Sequence, residues 1–223
     1  MSRPAVGAGH SAICDACVRR YGAERPRCRG CGIGLGAAAS ACGACLADPP
    51  PFERTVCAVD YGFPWNHVIT AFKFQGRVEL AAALAQRLMT ALRRAQAGDD
   101  PLLLPERIVP VPLSDQRLRE RGYNQAWELA RPVSSALGIE ADGRLLQRPL
   151  ETAHQAELNR AARRLNLRGA FMVDPQRRSW LAGRRVALVD DVMTTGATAR
   201  EAATVLLRAG AAAVQVWALA RTD

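Results

Sequence analysis

Lysine is almost absent from this chain of 223 residues: Lys73 stands alone among 30 basic residues, and all the others are Arg. Such a bias, alongside abundant Ala, follows from coding preference as readily as from function, so the Arg excess says little about any single site. Aromatic residues make up only 5% of the chain, so base stacking by Tyr123 and Trp127 finds little support in composition. Histidine is scarce too, and the three present, His10, His67 and His154, are scattered. No Ser-His-Asp or Cys-His arrangement for nucleophilic catalysis is evident, and His154 is read as a hydrogen-bonding surface residue rather than a base. A membrane span is excluded as well. The uncharged stretch from Gly30 to Ala47 holds five Gly and almost no large aliphatic side chains. Met1 to Ala12 lacks the basic flank and apolar core of a secretory signal.

Present instead is the composition of a folded protein, 49% hydrophobic and 23% charged. A net charge of +9 and a pI near 9.9 favour anionic partners such as phosphates or nucleic acid without naming one. Cysteine usage divides the chain sharply, since all seven Cys fall before Ala58. Without an export signal they are read as metal ligands or free thiols of a soluble cytoplasmic protein, where thiols stay reduced.

The Asp-Pro-Pro-Pro run at Asp48–Pro51 marks a boundary between residues 1–50 and 51–223. The first segment has too few large apolar residues to fold without a staple. The second alternates strand and helix patterns. Thr55–Tyr61, Arg107–Val111, Arg185–Val189 and Ala213–Leu219 read as strands. Leu80, Leu84, Leu88 and Leu92 share one face of a helix over Val78–Ala95, and further helical patterns cover Asn124–Leu137, Gln155–Leu165 and Ala197–Ala209. The expected fold is α/β, a mostly parallel sheet flanked by helices, with ligands at the carboxyl ends of the strands.

Three Cys-x-x-Cys units precede this domain: Cys14/Cys17, Cys28/Cys31 and Cys42/Cys45. Each turn aims two thiolates at one ion, and two turns complete a tetrahedral four-sulfur zinc site. The spacers between successive units are equal, so spacing allows either adjacent pair to share the metal. One couple is left over. Cys57, inside a strand pattern, reads as a small buried hydrophobe.

The most informative segment is Val186-Ala-Leu-Val-Asp-Asp-Val-Met-Thr-Thr-Gly-Ala-Thr198. An apolar strand delivers Asp190 and Asp191, then a Thr/Gly turn opens a helix. Unpaired N–H groups at that helix start, with the hydroxyls of Thr194, Thr195 and Thr198, suit a phosphate, and Gly196 allows close approach. Two carboxylates repel a phosphate but accept hydrogen bonds from a diol, and a sugar phosphate satisfies both demands. The plainer alternative is a helix cap, for Thr198-Ala-Arg-Glu201 fits a capping box by itself.

These residues resemble the phosphoribosyl pyrophosphate signature of type I phosphoribosyltransferases. Further stretches resemble the ComF family within that group, over nearly the whole chain: the cysteine-rich start, Phe72-Lys-Phe-Gln-Gly76, Val109–Leu113, Arg117–Gln125, Thr152–Gln155, Arg163–Asn166 and Val214–Arg221. The resemblance implies a phosphoribosyltransferase-like, Rossmann-like sheet behind a small N-terminal zinc-ribbon module. Some members carry four cysteine units, of which the first is missing here, which makes Cys28, Cys31, Cys42 and Cys45 the safer zinc set beside Cys14 and Cys17. It also implies that Asp190 and Asp191 bind the ribose hydroxyls and that Thr194, Thr195, Gly196, Ala197 and Thr198 cradle the 5-phosphate. Val111 and Pro112 fall at the pyrophosphate loop. Mg²⁺ would bridge pyrophosphate and diol oxygens while a nitrogen nucleophile displaces pyrophosphate from C1. Arg117, Arg119 and Arg121 would form a lid over the pyrophosphate. Lys73 is expected on the pyrophosphate or acceptor side of the cleft. Implied partners are phosphoribosyl pyrophosphate or a related sugar phosphate and proteins of DNA uptake and competence; Arg160, Arg163 and Arg164 recur at helical spacing with Arg168 beyond, a basic stretch that suits single-stranded DNA or, equally, a solvated helix face. Two alternatives stand beside this one: a nucleic-acid-binding accessory whose sugar-phosphate site is regulatory or vestigial, and a purely structural zinc adaptor.

Overall fold

The computed structural model describes residues 13–22, 25–36, 39–149 and 169–222. Helix Gln155–Leu165, His10, His154 and the Arg160–Arg168 stretch lie outside them. Four parallel strands form the main sheet: β1 (Arg54–Asp60), β2 (Arg107–Pro110), β5 (Arg185–Met193) and β6 (Ala213–Arg221). Their spatial order is β1-β6-β5-β2. A small antiparallel pair, β3 (Leu146–Gln147) and β4 (Met172–Val173), lies apart from it.

Period-two alternation explains why the strands are apolar throughout. Ala187 and Val189 of β5 pack to one side with Trp217 and Leu219 of β6. Val186 and Leu188 pack to the other with Val214, Val216 and Ala218. A sheet buried on both faces needs helices on both, and it has them. On the first side lie α3 (Trp65–Phe74), α4 (Leu80–Ala97) and α6 (Gln125–Leu137). Leu84, Leu88 and Leu92 of α4, one helical turn apart, are fully buried there. Each such Leu contributes roughly 2–3 kcal/mol of burial. On the second side α7 (Ala197–Arg208) brings Ala199, Ala202, Ala203 and Leu206, whose small side chains admit a close approach to the sheet.

The expected parallel α/β sheet is present, with three local differences. β5 continues past Val189 to Met193, because its pairing with β6 runs on to Met193↔Arg221. The Phe-Lys-Phe segment is the end of a helix, α3. Arg117–Arg121 belongs to a short helix, α5 (Asp115–Arg121), capped by Ser114 at its start and by left-handed Gly122 at its end. No helix among the described residues is long and apolar enough to cross a membrane.

The cysteine-rich segment carries two short helices, α1 (Asp15–Tyr21) and α2 (Gly43–Ala47), and packs against the sheet edge. Thr55 of β1 donates through its N–H to Arg29 O at 2.8 Å and through its hydroxyl to Gly30 O at 2.7 Å. Arg25 and Arg27 both reach Asp60, at 2.8 and 2.7 Å. Trp65 Nε1 donates to Tyr21 O at 2.8 Å.

Candidate functional site

A gap in strand pairing creates the site. β2 ends where Pro110 faces Val189, and one more bond, Val111 N–H to Val189 O at 2.8 Å, closes that ladder. Asp190–Met193 then pair with β6 alone, so one edge of the strand stands open at the carboxyl end of the sheet. A cleft of about 420 Å³ occupies this position. Open sheets of this kind present ligand crevices at their carboxyl ends.

Asp191 is buried and pairs with Lys73 Nζ at 2.9 Å, an ammonium delivered by the last turn of α3. Asp190 accepts from the N–H of Asp191 at 2.9 Å. Burial first, and then the neighbouring charge of Asp191, push the Asp190 carboxyl up to about 7, against the opposing pull of Lys73. Near neutral pH this carboxyl therefore both accepts and donates hydrogen bonds.

After Met193 the chain turns through Thr194 and Thr195 to Gly196, whose φ of 75° is left-handed and caps α7. A Cβ at this position would also lie 2.7 Å from Met193 Cε, which the flexible methionine tip can relieve, so the left-handed backbone is what favours glycine here. Thr195 Oγ1 accepts from Ala197 N–H at 3.4 Å. Gly196, Ala197 and Thr198 line the cleft at the start of a helix of 12 residues, where unpaired N–H groups and the helix dipole favour an anion.

Opposite stand Val111, Pro112, Arg117, Arg121 and Arg148. Arg121 lies over the Phe74 ring, 4.9 Å from its centroid, and donates to Gln125 Oε1 at 2.9 Å. Burial draws this guanidinium below its ordinary value; Asp191 opposes the shift and the like charge of Arg117 adds to it. Arg148 is buried over the Phe171 ring, where burial and the charge of Arg117 bring it down to about 10, still cationic at neutral pH. Four cationic side chains thus face two carboxylates among the described lining residues. The balance suits a multiply charged anion that also carries hydroxyl groups.

The structure gathers Asp190, Asp191, Thr194–Thr198, Val111, Pro112, Lys73 and Arg121 around this one cleft. Arg119 is exposed and is not part of the lining, because Arg117 and Arg121 are one helical turn apart and Arg119 projects elsewhere. No local motif marks Arg148, Tyr61 or Thr222, which tertiary packing adds to the wall, whereas Gln125 closes the Arg117–Gln125 stretch. Gln125 is fully buried, and its Nε2 has no hydrogen-bond partner among the described residues. Asn124, read from sequence as the first residue of a helix, caps α6 and also donates to Val111 O at 3.0 Å, holding the end of the β2 loop. Tyr123 stacks on Phe72 and donates to its carbonyl, so it is engaged in packing.

The second cluster joins Cys28, Cys31, Cys42 and Cys45, whose sulfurs all lie within 4.8 Å of one another. Cys42 N–H donates to Cys28 Sγ at 3.2 Å, and Cys31 Sγ and Cys42 Sγ are 3.6 Å apart. Burial pushes the Cys28 thiol up, yet hydrogen bonds from the Cys31 and Cys42 backbone outweigh it and bring it down to about 7. Burial and the neighbouring thiols raise Cys31 and Cys45. Four thiols this close resist ionising together unless a cation lies between them, so a four-sulfur donor set fits zinc. Cys14 and Cys17 lie outside this cluster at the start of α1, where Cys14 Sγ accepts from Cys17 N–H at 3.4 Å. Cys57 is buried, and burial pushes its thiol up to about 12.

No protein-family model matches the chain. It is 39% identical over 222 residues to DNA utilization protein YhgH of Escherichia coli, covering 100% of this chain and 96% of that one. Competence protein F of Haemophilus influenzae is 38% identical, over 94% of this chain and 90% of its own. Competence protein ComFC of Bacillus subtilis is 29% identical over 69% of this chain and 58% of its own. Among solved structures, glutamine phosphoribosylpyrophosphate amidotransferase from Bacillus subtilis superposes with a TM-score of 0.36 and 21% identity, over 63% of this chain and 25% of that one. Adenine phosphoribosyltransferase from Leishmania donovani gives 0.38 and 18%, over 67% and 55%.

Proposed function

The chain belongs to the ComF family, with DNA utilization protein YhgH and competence protein F, and on that premise we propose that it binds phosphoribosyl pyrophosphate and acts in DNA uptake or utilisation. Residues 1–50 form its metal-held module and 51–223 its ligand-binding domain in this reading. One observation carries it: two carboxylates and a Thr-Thr-Gly helix start share one cleft with Lys73, Arg117, Arg121 and Arg148. Asp190 and Asp191 receive the ribose hydroxyls, the 194–198 turn holds the 5-phosphate, and the guanidiniums opposite hold the pyrophosphate. The oxygen donors of Asp190 and Asp191 are of the kind Mg²⁺ takes, and the ion would neutralise pyrophosphate charge. The remaining work is positioning and charge stabilisation by the chain's own donors, with no covalent nucleophile. An adjoining groove of about 1080 Å³ shares Pro112, Leu113, Asn124 and Arg148 with the cleft and includes Trp127; with Asp115, Glu128, Glu140, Asp142 and Asp174 also on its wall, it suits an uncharged acceptor rather than a nucleic-acid strand.

Thermal denaturation tests the reading. Phosphoribosyl pyrophosphate with Mg²⁺ should raise the melting temperature of the wild type, by several degrees at a hundredfold excess over Kd. Asp190→Asn/Asp191→Asn should lose the rise. No shift in the wild type overturns the assignment. A turnover assay across nucleobases with pyrophosphate detection then separates a transferase from a binding protein.

A further inference from the structure

Two guanidiniums tie the cysteine cluster to the two ends of the 194–198 turn. Arg221, the last residue of β6, is only 5% exposed. Its Nε donates to the carbonyl of Cys31, one of the four clustered cysteines, at 2.8 Å. Its Nη1 donates to the carbonyl of Met193 at 3.3 Å, the last residue of β5 before the turn. The same nitrogen reaches the carbonyl of Thr222, which lines the cleft and whose own N–H donates to Met193 O at 3.2 Å. On the far side of the turn, Arg200 lies in the first part of α7. Its Nη2 donates to Asp48 O at 2.6 Å and its Nη1 to Pro49 O at 3.2 Å. Asp48 closes α2, the helix that carries Cys45.

A buried guanidinium whose carbonyl partner moves away is left desolvated and unpaired, which is strongly unfavourable. A shift of Cys31 therefore either draws Arg221 along or breaks a charge-assisted bond, and Met193 O is the other end of the same rigid fork. A cation bound between the Cys28–Cys31 and Cys42–Cys45 turns would hold the four sulfurs together. Gly196, with its left-handed backbone, lies between Met193 and the start of α7.

We propose that metal binding at Cys28, Cys31, Cys42 and Cys45 and sugar-phosphate binding at the 194–198 turn are thermodynamically linked through Arg221, with Arg200 as a second strap. Arg221 is a positioning residue here, acting through Met193 and Thr222. The inference rests on the phosphate-cradle reading of the turn. Linkage is reciprocal, so phosphoribosyl pyrophosphate should raise zinc affinity by the factor by which zinc raises phosphoribosyl pyrophosphate affinity, and couplings of this type are commonly about tenfold.

The test measures zinc affinity of the full-length protein against a chromophoric chelator, with and without saturating phosphoribosyl pyrophosphate and Mg²⁺, after calorimetry has established ligand binding to the zinc-loaded form. In the wild type the ratio of the two zinc affinities should be about ten. Arg221→Lys keeps the charge but cannot span both carbonyls; it should still bind each ligand alone while the ratio falls toward one. Arg200→Ala, altered at a partly exposed side chain, should lower the ratio and gives the answer if Arg221→Lys does not fold. A wild-type ratio of one, with the ligand bound, overturns the linkage. An unchanged ratio in the variants overturns the two straps as its route. Failure of the zinc-loaded wild type to bind phosphoribosyl pyrophosphate is a different result, and it overturns the cradle itself.

Discussion

Asp190 shows how one residue can be costly to the folded chain and useful to a ligand. Its carboxyl is pushed up to about 7 by burial and by Asp191. In the unfolded chain it ionises in the ordinary carboxylate range, so the folded state loses ground as pH rises from that range to about 7, and above it the deficit is constant. Asp190→Asn removes the ionisation from both states. We expect it to stabilise the ligand-free protein by about 1–2 kcal/mol at pH 8, a few degrees in Tm, and by little near pH 4. Thermal denaturation at the two pH values checks this, and equal shifts at both would count against burial as the cause. Lys73 is the other notable residue: the fold pairs this lone lysine with Asp191 at 2.9 Å.

At the scale of elements, the lengths of β2 and β5 make the cleft, and Asn124 joins two pieces of its wall. Its Oδ1 accepts from Ala126 and Trp127 N–H at 3.0 and 3.4 Å to cap α6, while its Nδ2 donates to Val111 O at 3.0 Å. The two jobs separate by substitution. Asn124→Ala loses both and should cost about 1–2 kcal/mol of stability. Asn124→Asp keeps an acceptor at the helix start but cannot donate to Val111; it should retain most of the stability while weakening phosphoribosyl pyrophosphate binding. Denaturant unfolding and calorimetry on the two variants distinguish them, and equal stability losses would contradict the division. Helices α4 and α6 were legible from spacing because their apolar stripes are regular. The short helix α5 was not, because its two turns of Arg-rich sequence have no buried residues to set a period.

Across the whole molecule, the cysteine-rich segment and the sheet share hydrogen bonds. Thr55 with Arg29 and Gly30, Trp65 with Tyr21, and Arg221 with Cys31 all cross the boundary at residue 50. A chain beginning at Pro51 would expose the edge of β1 and leave the Arg221 guanidinium short of a carbonyl. It should melt well below the full chain, and differential scanning calorimetry checks this. An undiminished melting temperature would mean that the two parts are energetically independent.

Sequence alone was enough for the parallel sheet, the helical patterns over Val78–Ala95, Asn124–Leu137 and Ala197–Ala209 that cover it, the cysteine pairs and the Asp-Asp/Thr-Thr-Gly segment. These are local patterns, in which period and spacing state what each stretch must bury or ligate. Equal spacers left open which cysteine pairs meet and the family resemblance favoured Cys28, Cys31, Cys42 and Cys45; the tertiary structure gathers these four and places Cys14 and Cys17 apart from the cluster. It also decided that Arg148 reaches the cleft, that Arg119 does not, and that Arg221 spans from the cysteines to the turn. Such contacts join residues up to 190 positions apart, and no periodicity in a chain encodes a meeting that only strand order brings about.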